Sequence, residues 1–200
     1  MSAPLSVRRF SGGALNDYLD DIARLRIEVF RDFPYLYDGT MDYERKYLQT
    51  YVCCPQAVVV VVFAGEDVVG ASTAIPLLFE EDNFRQPFIS AGFDPAEVFY
   101  CAESVLHKDY RGRGLGVRFF EEREAHASEV GGFRHYAFCS VVRPPNHPLR
   151  PHGYEPLDNF WLKRGYEKHP GLTAHYVWKD IDEVVDTSKT LEFWLKSKGH

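Results

Sequence analysis

The stretch AVVVVVFA, Ala57 to Ala64, limits the possible folds of this chain more than any other. Valine is stiff at its branched Cβ and packs well on a pleated surface, so the run favours a strand over a helix. It has no polar side chain to turn toward water, which makes it a buried strand. The following Gly65-Glu66-Asp67 is a turn signal, and Val68 to Ile75 is expected to return as the partner strand of a hairpin. The apolar run is far too short to cross a bilayer. The N-terminal MSAPLSVRRFSGG lacks the apolar core of a signal peptide, so the expected location is the cytoplasm, with no membrane partner.

Other elements follow from periodicity. Leu15, Leu19, Ile22, Leu25 and Val29 fall at helical spacing and predict an amphipathic helix over residues 14–33, ended by Pro34. A second helix is expected over 41–52, after the aromatic loop FPYLYDGT. Residues 80–95 read as irregular or partly helical. Strands are expected at 6–10, 98–107, 133–142 and 174–179, and helices at 115–130 and 157–164. Leu191, Trp194 and Leu195 suggest a C-terminal helix at about 188–197. Hairpins combined with strand–helix–strand crossovers imply one α/β domain over residues 1–200, a mixed sheet with helices on both faces.

The formal charge of −6 argues against nucleic acid as a partner, since phosphate backbones recruit basic faces. Cys53, Cys54, Cys101 and Cys139 show no C-x-x-C spacing and read as reduced, small core residues. His147 and His152 lack a ligand set, so no metal is expected.

Against this acidic background, residues 108–118 (KDYRGRGLGVR) carry Lys108, Arg111, Arg113 and Arg118 against Asp109 alone. Gly112, Gly114 and Gly116 lie between a predicted strand and a predicted helix. Unpaired N–H groups and the dipole at a helix N-terminus attract anions, and glycine lets them approach the backbone. The turn therefore reads as a phosphate or pyrophosphate site. Its spacing fits neither the Rossmann fingerprint nor Walker A. A purely steric, helix-starting turn is the alternative.

The segment YCAESVLHKDYRGRGLGVRFF resembles the coenzyme A-binding segment of the GNAT superfamily of N-acetyltransferases. Arg111, Gly114 and Gly116 fill its [RQ]-x-x-G-x-[GA] pattern. The resemblance implies a mostly antiparallel central sheet of about six to seven strands. It also implies acetyl-CoA as co-substrate, with the pyrophosphate held by Arg111, Gly112, Arg113, Gly114, Leu115, Gly116 and Val117. The pantetheine arm would pair with the backbone of Val105, Leu106 and His107.

Acetyl transfer to an amine requires a neutral nucleophile and a proton acceptor. Glu103, mid-strand in CAESVLH, is costly to bury as a carboxylate and is the candidate general base; a structural Glu paired with an Arg is the alternative. The position where similar enzymes carry an acidic Tyr holds Trp161; Tyr154 is the candidate substitute acid, with His152, Tyr166, water or no acid at all as the alternatives. The stiff loop RPPNHPLRPHGYEP, which displays Arg143, His147, Arg150, His152 and Tyr154, and the aromatic loop, with Phe33, Tyr35 and Tyr37, are candidate acceptor walls. The expected activity is transfer of acetyl to a primary amine of a small molecule. Two alternatives are a non-catalytic acyl-CoA sensor and an enzyme acting on protein N-termini or lysines. A homodimer is compatible with the fold.

Overall fold

The computed structural model describes residues 4–198. Seven strands, β1 (Leu5–Phe10), β2 (Val58–Ala64), β3 (Asp67–Pro76), β4 (Val98–Leu106), β5 (His135–Val141), β6 (Glu167–Trp178) and β7 (Thr187–Ser197), form one sheet in the order β1-β2-β3-β4-β5-β7-β6. Five helices accompany them: α1 (Leu19–Phe30), α2 (Met41–Cys53), α3 (Asp82–Ser90), α4 (Leu115–Val130) and α5 (Asp158–Leu162).

The valine run is β2, and every residue of it is buried. Alternation divides it between two cores. Val59, Val61 and Phe63 pack with residues of α1 and α2, while Val58, Val60, Val62 and Ala64 pack with Leu115 and Phe119 of α4. Helices thus cover both faces of the sheet, and each buried valine contributes roughly 1.5–3 kcal/mol of transfer free energy.

All strand pairs are antiparallel except β4–β5, which α4 joins as a crossover. That parallel pair is short, matching Val98–His135, Phe99–Tyr136 and Tyr100–Ala137. Beyond it the strands part, and Glu103 lies past the parting. On its other edge β4 pairs with β3 through a register shift between Thr73 and Ile75.

Three expectations need correction. Residues 187–197 are a strand, not a helix. Leu191, Phe193 and Leu195 face one core while Trp194 faces the other, a period of two that β5 and β6 complete by pairing on both edges. The first helix begins as a 3-10 turn, Gly12–Tyr18, and its α-helical part ends at Phe30. Cys53 is exposed rather than a core residue, while Cys54 and Cys101 are buried. Among the described residues, no helix is long and apolar enough to cross a membrane.

Candidate active site and anion-binding turn

The glycine turn lies where the sequence placed it, between β4 and α4. The His107 N–H still bonds to Val69 O at 2.9 Å, a 3-10 turn spans Lys108–Tyr110, and α4 starts at Leu115. Gly112 and Gly114 have φ of 76° and 80°, a left-handed conformation that costs a Cβ-bearing residue energy. Nothing lies within 4 Å of where a Cβ would stand on either, so the approach to this backbone is open. The first bond into α4 runs from the Arg118 N–H to Gly114 O, 3.1 Å. The N–H groups of Leu115, Gly116 and Val117 come before it, in the first turn, where helices leave donors unpaired. Gly116 has a different reason: a Cβ there would stand 3.3 Å from Phe160 Cζ of α5.

The arginines brace the turn while keeping their charge at the surface. Arg111 Nε donates to Leu106 O at 3.3 Å, Arg113 Nη2 donates to Asp109 O at 3.0 Å, and the Arg113 guanidinium lies over the Tyr110 ring. The turn fits a pyrophosphate in backbone, charge and space. The strand end fits a pantetheine arm less freely than expected, since His107 N–H and one lone pair of Leu106 O are already used.

A cavity of about 220 Å³ opens on the α1–α2 face of the sheet, beside the parting of β4 and β5. Glu103 lines it from β4, Cys139 from β5, Arg26 and Phe30 from α1, Tyr47 from α2, and Tyr176 and Trp178 from β6. The Glu103 carboxylate accepts from Tyr47 Oη at 2.9 Å and pairs with the Arg26 guanidinium, which also pairs with the fully buried Glu44. Sequence reading missed Arg26 and Glu44. Arg26 follows Ile22 by four residues, so a charge lies in the apolar stripe of α1, and such a charge needs a buried partner.

From the opposite face, Arg123 of α4, 1% exposed, donates through Nη1 to Glu103 O at 3.1 Å beside the β3 register shift. The interruption that Arg123 makes in the apolar face of α4 is thus a clamp on the strand that carries Glu103.

A second carboxylate, Glu80, lines the cavity from the long connection between β3 and β4. No cation lies within ion-pairing distance of it among the described residues. Burial pushes its carboxyl up to about 7. Burial also raises the Tyr47 phenol well above its usual value and pushes the Cys139 thiol up to about 12.

Of the expected acceptor-wall residues, Tyr35 and Tyr37 line the cavity, and Phe33, Arg150 and His152 do not. Phe33 packs edge-on against Tyr154 at 4.7 Å, Arg150 lies over the Tyr154 ring at 5.0 Å, and His152 is exposed. The structure therefore does not bring Tyr154 into the cavity with Glu103. Arg143, read as displayed on the Pro-rich loop, instead turns its side chain inward, 8% exposed, and is structural. It donates to Pro34 O (2.7 Å) and Tyr35 O (2.6 Å) and pairs with the buried Asp180. Trp178 Nε1 donates to the same Tyr35 O at 3.1 Å, so the aromatic loop is pinned from two sides. Trp161 packs obliquely against both Phe138 and Trp194, which stack on each other.

No protein-family model and no curated protein matches this sequence. Solved structures do match the fold. An acetyltransferase from Thermus thermophilus is similar with a TM-score of 0.59 and 18% identity, covering 99% of this chain and 100% of that one. A GNAT-family acetyltransferase from Streptococcus pneumoniae has a TM-score of 0.60 at 13% identity over 98% and 100%. A Salmonella typhimurium protein solved with acetyl-CoA as its cofactor has a TM-score of 0.60 at 11% identity over 98% and 95%. The chain has the fold of the GNAT acetyltransferases.

Proposed function

We propose that this protein transfers an acetyl group from acetyl-CoA to the primary amine of a small molecule, by direct attack of the amine. One observation carries the reading: a glycine turn fit for a pyrophosphate and an acidic cavity fit for an amine lie along the same strand, β4, at its parting from β5. A thioester carried between them would present its carbonyl carbon beside Glu103.

The amine must reach that carbon in a fixed orientation and lose a proton. Glu103 lies at the meeting point, bound by Arg26 and Tyr47 and clamped through its backbone by Arg123. Its negative charge faces the cavity and favours an ammonium group there. Protonating it would break the Arg26 pair, so Glu103 acts in this reading chiefly as the charge that positions the nitrogen. Tyr154, outside the cavity lining, has no assigned role in protonating the thiolate.

The test is thiol release from acetyl-CoA with a panel of primary amines, with mass detection of the acetylated product. Amine-dependent thiol release with an acetylated amine supports the reading. Thiol release that no amine accelerates, or none at all across the panel, would contradict it.

A further inference from the structure

The connection from β3 to β4 is longer than its geometry requires. Antiparallel neighbours can be joined by a two-residue turn. Here the chain instead runs from Leu77 to Glu97 through α3 and folds back over the cavity, to which it contributes Phe79, Glu80, Glu81 and Phe84. Phe84 packs against Tyr176 of β6 at 5.6 Å, which holds this flap to the far wall.

We propose that Glu80 receives the ammonium group of the acceptor and takes its proton, and that the acceptor is a small primary amine carried on an apolar, ring-sized body. This rests on the acetyl-transfer reading above. The cavity wall contains three carboxylates, Glu80, Glu81 and Glu103, against one guanidinium, Arg26, which is committed to Glu44 and Glu103. Its remaining surface is largely aromatic, with Phe84, Tyr100, Tyr176 and Trp178 on the strands and flap. Aromatic faces attract cations, and an apolar wall favours a hydrophobic body behind the charge.

The groups facing Glu80 leave it as the proton acceptor. Tyr47 and Tyr51 from α2, Tyr100 from β4, Tyr176 from β6 and the Cys139 thiol from β5 are all raised, mainly by burial, and stay neutral at pH 7. Arg26, Glu44 and Glu103 are paired with one another, and Glu81 is Glu80's chain neighbour. A carboxyl near 7 is matched to proton transfer at neutral pH. In the reaction, the ammonium gives one proton to the Glu80 carboxylate. The freed nitrogen lone pair bonds to the thioester carbon, whose C=O π pair moves to oxygen. Collapse of the tetrahedral adduct breaks the C–S bond and sends its electron pair to sulfur. The second N–H proton goes to that thiolate, giving amide and thiol, and Glu80 returns its proton to water.

The probe is 2-phenylethylamine, with 2-phenylethanol as its neutral counterpart, followed through the fluorescence of the tryptophans that include Trp178 of the cavity wall. Wild type is expected to prefer the amine over the alcohol by about tenfold at pH 8. The preference should weaken below pH 6 and fall under threefold in Glu80→Gln. The Glu80→Gln variant, which loses no ion pair, should bind acetyl-CoA with unchanged affinity. No preference in wild type, no binding of either compound, or a preference intact in Glu80→Gln would each overturn the proposal. A wild-type protein that prefers the amine yet fails to bind acetyl-CoA would sink the transferase reading and leave the cation site standing.

Discussion

At the scale of single residues, the site depends on where charge is paired and where it is not. Arg26, Glu44 and Glu103 form a buried cluster in which removing one member strands the others. Arg26→Met is expected to destabilise the fold by about 3 kcal/mol, measured by urea denaturation, because two carboxylates then face each other in an apolar setting. Glu103→Gln should cut amine-dependent turnover at least tenfold while acetyl-CoA affinity stays within about twofold. Equal loss of both would make Glu103 a structural residue.

Glu80 predicts the opposite sign for stability. Its carboxyl is raised from 4.5 to about 7 on folding, so the folded state binds the extra proton between those values. Stability from this group is full below pH 4.5 and is lost as pH rises through 7. Glu80→Gln should therefore be more stable than wild type at pH 8, by about 1–2 kcal/mol after allowing for partial solvent contact, and the gain should vanish at pH 4.5. Thermal melts at the two pH values check this.

At the scale of elements, legibility followed the period of the side chains. Strand β2 and its hairpin partner were readable because five consecutive valines fit one kind of environment only. The glycine turn was readable because Gly112, Gly114 and four basic residues coincide within a few positions of a strand end. β7 was misread as a helix because Leu191, Trp194 and Leu195 fit a spacing of three and four. Phe193, between them, fits only a strand buried on both faces. The cavity lining was legible at Glu103, Tyr35 and Tyr37 but not at Arg26 or Glu80, nor was the partner Glu44. The apolar stripe of α1 marks Arg26 as a charge in need of a partner, but its pairing with Glu44 of α2 and Glu103 of β4, and the place of Glu80 on the flap, are set by the tertiary fold. Arg143 shows the same limit: its partners Pro34, Tyr35 and Asp180 are remote in sequence. Arg143→Met should lower stability by about 3–5 kcal/mol by leaving Asp180 buried with less compensation, and should loosen the Tyr35 wall. A melting temperature unchanged from wild type would contradict that assignment.

At the scale of the whole molecule, the sheet order makes the site. Placing β4 and β5 side by side, joined through α4 and paired at only three positions, forces a parting in the middle of the sheet. The turn that starts α4 opens at one end of β4, and the α1–α2 layer and the β3–β4 flap close a cavity beside its middle. In the proposed function the turn holds the pyrophosphate of acetyl-CoA. This placement is tested most directly by calorimetric titration of acetyl-CoA into wild type and into Arg111→Glu/Gly114→Asp, with NAD and ATP as controls. Saturable binding of acetyl-CoA to wild type is expected, with much weaker binding of the controls and loss of acetyl-CoA binding in a double variant that still folds. Failure of wild type to bind acetyl-CoA, or equal binding by the folded variant, would contradict the placement.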